Sequence, residues 1–211
     1  MNTDFHFVEC VNETCRLRFP LDLNTYEGKY CPRCGGRLSI VSTSTPSEPP
    51  VQARPTQQIT LIGLLDNIRS IHNVGSIFRS ADGAGFSHLH LCGITPTPEH
   101  NLDITKTALG AEKELEWSYH ANAIDLAQGL QQQGLSLIAL ERTARAIPIQ
   151  TLHLKPRQTY VLIVGNEPTG VDPTLLNLAN QVVSLPMLGT KESLNVAISF
   201  SIAAYWLRLT H

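Results

Sequence analysis

Four cysteines near the start of the chain, Cys10, Cys15, Cys31 and Cys34, run as C-x4-C and C-x2-C with fifteen residues between the pairs. Thiolates in two closely spaced pairs suit a tetrahedral zinc ion, and the gap leaves room for a short hairpin. In YCPRCGGRL the glycines after the second cysteine let the backbone turn so that N–H groups approach the sulfurs. The segment has few large apolar side chains, so it needs a staple to fold, and structural zinc is the expected one. A degenerate site without its ion, or redox-active thiols, are the alternatives. Cys92, in the apolar run HLHLCG, is the odd thiol out.

Three further stretches place polar groups where a strand gives way to a loop. DNIRSIHNVGSIFRSADGAGF, residues 66–86, carries Asn73 and Arg79. VLIVGNEPTGV, residues 161–171, runs an apolar strand into Gly165, then Asn166, Glu167 and Gly170. A glycine at that point lets a ligand approach the backbone closely. VVSLPMLGTKESLNVAISFSIAAYWLRL, residues 182–209, passes from a strand through a loop into an apolar helix, with Ser193 as its expected N-cap and Asn195 beside it. Taken singly, each has an ordinary reading. Asn73 caps a helix, Arg79 is a solvated helix arginine, Glu167 sits in a solvated turn, and Asn195 lies on the surface.

The elements that must position these residues alternate along the chain. Strands are expected at 59–65, 88–93, 135–141, 159–165 and 181–187, with helices at 73–84, 103–112, 121–133, 173–179 and 193–209. Strands apolar on both faces, interleaved with helices, predict an α/β fold: a parallel sheet with helices on both faces. Ligands in such sheets sit beyond the carboxyl ends of the strands, where the three stretches fall. The terminal helix is apolar almost all round, which predicts burial on every side, between the sheet and a second subunit. Residues 1–42 form the cysteine-rich domain, 43–58 a Ser/Thr/Pro-rich linker and 59–211 the main domain.

The net charge of −2 and a hydrophobic content of 42% describe a chain able to bury a core and lacking any global basic field. Nucleic-acid contact must therefore come from local patches. No apolar run reaches spanning length uninterrupted, and MNTDFHFVEC lacks the layout of a signal peptide, so a cytoplasmic protein with no membrane contact is expected.

Together, in this order, the three stretches resemble the motifs of the SpoU/TrmH family of RNA methyltransferases, in the SPOUT class. The matching residues are Asn73, Gly75, Arg79, Ala81 and Gly85; then Gly165, Glu167 and Gly170; then Pro186, Met187 and Gly189, ending in Ser193, Leu194, Asn195 and Val196. TKTALGAEKELEW, residues 105–117, also resembles a family segment, and the likeness runs from Ile59 to Leu209. Bulky Ile198 and Phe200 depart from it, standing where small residues are frequent. The cysteine-rich start lies outside the likeness and resembles a zinc ribbon, a module that more often binds nucleic acid or protein than performs chemistry.

The resemblance implies a C-terminal trefoil knot, which no compositional argument predicts because chain connections are almost always unknotted. It implies a homodimer that moves a methyl group from S-adenosylmethionine to a ribose 2′-hydroxyl of tRNA or rRNA. Loops holding Gly165, Asn166, Gly170, Leu185, Met187, Gly189, Ser193 and Leu194 would bind the cofactor. Asn73, Arg79, Glu167, Ser193 and Asn195 match the catalytic positions. A guanidinium scarcely deprotonates, so Arg79 is better read as a clamp on phosphate and developing alkoxide than as a base. Glu167 would orient Arg79 or accept the proton, while Asn73, Ser193 and Asn195 would fix ribose and phosphate. The alternative is a SPOUT-fold RNA-binding protein without turnover. A Rossmann-type nucleotide enzyme ranks far behind, since no G-x-G-x-x-G follows the first strand of the main domain.

Overall fold

The computed structural model describes residues 5–43 and 59–210. The chain divides into two compact units, Met1–Ala53 and Arg54–His211. The expected linker, apart from Thr43, lies outside the described residues.

The first unit is a three-stranded antiparallel sheet in the order β2-β1-β3, built from β1 (Phe5–Cys10), β2 (Arg18–Asp22) and β3 (Leu38–Thr43). β3 extends the domain one residue past its expected end. Among the described residues of this unit, Val8, Cys10 and Cys31 are the buried hydrophobic side chains. So small a core agrees with a need for a metal staple.

The second unit holds β4 (Thr60–Asp66), β5 (His88–Cys92), β6 (Trp117–His120), β7 (Ser136–Leu140), β8 (Ile147–Pro148), β9 (Thr159–Val164) and β10 (Gln181–Ser184). They form one seven-stranded sheet, β6-β5-β4-β9-β7-β10-β8, in which every pairing is parallel. Strand residues alternate between two cores, as the period of a strand requires. Leu61, Leu65, Leu162 and Val164 face the layer that includes Phe78 of α1 (Ile71–Gly83) and Phe200 of α6 (Val196–Thr210). Leu64, Val161 and Ile163 face the layer of α4 (Ala123–Gln132) and α5 (Pro173–Leu178). Helices thus cover both faces, as expected. The short strands β6 and β8 had no distinct sequence signal, because each is too brief for alternation to register.

Three helix boundaries differ from expectation. α1 starts at Ile71 and is capped by Ser70, whose hydroxyl accepts from the Asn73 N–H, so Asn73 lies inside the first turn. α6 starts at Val196 and its cap is Asn195, whose side-chain oxygen accepts from the N–H groups of Ala197 and Ile198. Ser193 stays in the preceding loop. The helix expected at 103–112 is broken into a 3-10 turn (Leu102–Ile104), α2 (Thr105–Ala108) and α3 (Ala111–Glu114). Leu109 at φ 52 and Gly110 at φ 99 adopt positive φ and interrupt it.

α6 is not buried all round. Ala197, Phe200, Ala203, Ala204 and Leu207 face the sheet, while Ile198, Ile202, Trp206 and Leu209 are exposed. Their spacing of about one helical turn makes them a single stripe.

Candidate functional site

The carboxyl ends of β7, β9 and β10 open on a cavity of about 640 Å³. Its wall includes Gly165, Asn166 and Gly170 after β9, and Leu185, Met187, Ser193 and Leu194 after β10. Gly165 has to be glycine, since a Cβ there would strike the backbone of Gly170 and Val171. Gly170 holds φ at +74, and a Cβ on it would meet the Glu141 carboxylate. The intervening turn is closed by the Gly170 N–H donating to Asn166 O at 2.8 Å and the Asn166 amide donating to Asn67 O at 2.7 Å. Of the expected cofactor-binding set, only Gly189 lies off the wall, exposed in the loop.

The wall also contains Glu141, Arg142 and Glu192, which the sequence reading passed over. Glu141 accepts from the Val171 N–H at 2.9 Å, and Arg142 pairs with Glu192 at 3.1 Å across the mouth. Their signal was available: Glu141 and Arg142 directly follow an apolar strand at the sheet's carboxyl edge.

A second cavity of about 450 Å³ lies between α1, α2 and α6. Asn73, Arg79, Lys106, Thr107, Asn195 and Ile198 line it. Asn195 belongs to both walls, so the two cavities meet at its side chain.

A line of hydrogen bonds crosses that junction. The Glu167 carboxylate accepts from the N–H of Arg69 at 2.9 Å, the N–H of Ser70 at 3.0 Å and the Asn73 amide at 2.9 Å. The Asn73 side-chain oxygen accepts from the Asn195 amide at 3.0 Å. Glu167 thereby occupies the positive end of α1, where backbone N–H groups lack intrahelical partners. Burial pushes its carboxyl up, but the Arg69 N–H, the Asn73 amide and the Ser70 N–H outweigh that and hold it below the ordinary range.

Arg79 is exposed, and its guanidinium has no hydrogen bond or ion pair among the described residues. Glu167 therefore does not orient Arg79 in this structure. Behind Arg79, the Ser80 and Ser201 hydroxyls meet at 2.6 Å and pin α1 to α6. Lys106, the second cation of the groove, pairs with Asp103 at 2.9 Å. Asn73, Glu167 and Asn195 are thus joined, Arg79 shares the groove of Asn73 and Asn195, and Glu167 and Ser193 line only the first cavity.

In the N-terminal unit the four cysteine sulfurs lie within 4.8 Å of one another. Cys10 and Cys34 are 3.5 Å apart and Cys15 and Cys31 3.8 Å, against ~3.8 Å for two thiolates on one tetrahedral zinc. The N–H groups of Arg33 and Gly36 each reach a sulfur at 3.4 Å, as the glycines of this turn predicted. The Gly36 N–H, aided by the neighbouring thiols, pulls Cys34 down to about 7, while burial and the same neighbouring thiols raise Cys10 and Cys15. The donor set fits a closed tetrahedral zinc site. Cys92 is buried at the end of β5 and takes no part.

The family model of the SpoU rRNA Methylase family matches residues 60–205. The chain belongs to this family. Among curated SpoU-like relatives, it is 27% identical over 149 residues to the tRNA (guanosine(18)-2′-O)-methyltransferase of Escherichia coli, covering 71% of this chain and 63% of that protein. It is 28% identical over 197 residues to the 23S rRNA (guanosine(2553)-2′-O)-methyltransferase RlmP of Bacillus subtilis, covering 90% and 77%. An AdoMet-bound rRNA methyltransferase from Sinorhizobium meliloti superposes with a TM-score of 0.65 at 28% identity, covering 74% of this chain and 58% of that one. The chain thus spans less than two thirds of the length of two of these three proteins. No described helix is long and apolar enough to cross a membrane.

Proposed function

We propose that the chain transfers the methyl group of S-adenosylmethionine to a ribose 2′-hydroxyl of tRNA or rRNA. The observation that carries this reading is the meeting of two cavities at Asn195. One is a glycine-walled pocket beyond the strand ends, and the other is a groove with the unpaired cation Arg79. The named activities of the relatives support it.

S-adenosylmethionine supplies an electrophilic sulfonium methyl. In the reaction a bond would form from the ribose oxygen to that carbon, the carbon–sulfur bond would break, and the hydroxyl proton would pass to solvent at the exposed groove. Gly165 and Gly170 admit the cofactor against bare backbone, beside Leu185, Met187 and Leu194. Arg79, with no partner to give up, offers its planar donor fork to the adjoining phosphate and to the alkoxide as charge develops. Asn195 and Asn73, each already fixed by a hydrogen bond, orient the ribose at the junction. Glu167 is a positioning residue, because its oxygens already accept from α1 and Asn73 and its low pKa makes it a weak base. Ser193 contacts the cofactor side.

The reading extends to a homodimer through the exposed stripe of α6, which starts at Ile198 in the wall of the RNA groove. It extends to structural zinc in residues 1–42, with that unit helping to choose the RNA across the linker 43–58. It also includes a trefoil knot, in which the C-terminal segment threads a loop, and a cytoplasmic site of action. The test is incorporation of labelled methyl from S-adenosylmethionine into tRNA and rRNA lacking the modification, with calorimetric cofactor binding alongside. Methyl transfer that appears with the protein and is lost on alkaline-resistant dinucleotide analysis would assign another acceptor. Cofactor and RNA binding with no transfer would return the chain to a binding protein.

A further inference from the structure

In the N-terminal unit one stretch of surface carries charge that the fold leaves unpaired. Arg16 and Arg18 both pair with Glu9, and Lys29 pairs with Glu27. Arg33 and Arg37, on either side of Cys34, are exposed, and their guanidiniums have no hydrogen bond or ion pair among the described residues. No acidic residue stands between Gly28 and Leu38. Tyr30 opposes Arg37 across the same hairpin and is 65% exposed. Residues directly opposed in an antiparallel pair project to one side, so the phenol ring and the guanidinium are neighbours. We propose that Tyr30, Arg33 and Arg37 form a binding surface for single-stranded RNA, with one base stacked on the Tyr30 ring and the flanking phosphates held by the two arginines.

The platform is fixed before RNA arrives. The Leu38 N–H donates to Lys29 O at 3.1 Å and the Cys31 N–H to Gly36 O at 2.7 Å, so backbone bonds bracket the Tyr30–Arg37 pair. Cys31 is buried next to the exposed Tyr30, so the cysteine cluster holds the hairpin from beneath while the ring faces solvent. Gly35 turns the knuckle at φ +71, and a Cβ there would meet nothing within 4 Å, which leaves open space between the two arginines. Tyrosine loses little rotamer freedom on stacking, and every base has a π-face, so the surface selects unpaired nucleotides rather than a sequence. A duplex keeps those faces stacked within itself. The choice of RNA over a protein partner rests on the activity proposed above, and two unpaired cations on a hairpin without acidic residues support it by charge complementarity. Solvated side chains with no ligand are the competing account.

The salt dependence of binding separates the two. The zinc-loaded full chain is titrated into a fluorescein-labelled, mixed-sequence RNA of about 12 nucleotides that does not pair with itself, and anisotropy is read between about 50 and about 200 mM salt. Tyr30→Ala should weaken binding about tenfold with the salt slope unchanged, because stacking releases no counterions. Tyr30→Phe, which keeps the ring, should bind like the wild type. The double variant Arg33→Gln, Arg37→Gln should lower the slope of log Kd against log salt by ~1.4, at ~0.7 per phosphate contact. Every variant should keep its cysteine-bound zinc and its S-adenosylmethionine affinity. Binding unchanged in Tyr30→Ala, or a slope unchanged by the loss of both arginines, would overturn the proposal and leave the surface to a protein partner or to solvent. Tyr30→Phe as weak as Tyr30→Ala would overturn it as well, since the hydroxyl and not the ring would then hold the RNA. Methyl transfer is read separately: a wild type that shows these binding losses but transfers no methyl sinks the proposed activity and not this surface.

Discussion

At the scale of single residues, the arginine and the glutamate of the site have different tasks. If Arg79 clamps the ribose-phosphate, Arg79→Ala should leave S-adenosylmethionine affinity nearly unchanged, because Arg79 lines the groove and not the glycine-walled cavity. Single-turnover methyl transfer should fall about 10²–10³-fold, the scale of losing one preorganised donor. Arg79→Lys should restore little, since an ammonium lacks the bidentate fork. A solvated arginine predicts wild-type rates for both. Glu167 makes a prediction about pH. Its folded pKa is depressed, so between that value and the ordinary one near 4.5 the unfolded chain binds more protons. Its stabilisation is therefore complete above about pH 4.5 and lost as the pH falls through the folded value. Urea midpoints of the wild type and Glu167→Gln should differ at pH 6–7 and draw together as the pH falls from about 4.5 through the depressed folded value. A difference that persists unchanged into acid would mean that shape, not charge, holds α1. The residue types were legible in the motif, but the partners of Glu167 were not. They stand 94–98 positions away, a separation over which only the folded sheet decides who meets whom.

At the scale of elements, strands were easier to read than helix ends. The VLIV of β9 is apolar throughout because the strand sits centrally and is covered on both faces, and that pattern needs no tertiary information. Caps are a closer contest. SLNV offers two residues that cap well, and local preference barely separates Ser from Asn. Asn195 takes the role because its amide is also held by Asn73, a contact with α1 that no local rule contains. Asn195→Ala should accordingly cost ~1–2 kcal/mol of stability in chemical denaturation, the upper part of the range for a lost cap. Ser193→Ala, in an exposed loop, should change it by less than about 0.5 kcal/mol. Equal losses for the two would return the cap to Ser193.

At the scale of the whole molecule, the exposed face of α6 asks for a covering. Leu209 is 66% and Ile198 52% exposed on a stripe that also holds Ile202 and Trp206. Scattered apolar residues need no explanation, but a contiguous stripe on one helix marks an interaction surface. The proposed occupant is a second copy, since a two-fold pairing makes one patch cover its twin. Ile198 also lines the groove that holds Arg79, so the partner would stand beside the RNA and complete its wall. Ile202→Glu places a carboxylate at the middle of the stripe and leaves both cavities untouched. Sedimentation at micromolar concentration should show a dimer of the 23.2 kDa chain for the wild type and a monomer for the variant. S-adenosylmethionine binding and RNA methylation measured on the separated monomer then decide how much of the site the partner supplies. A wild-type chain that sediments as a monomer would leave the stripe for another partner and sink the dimer.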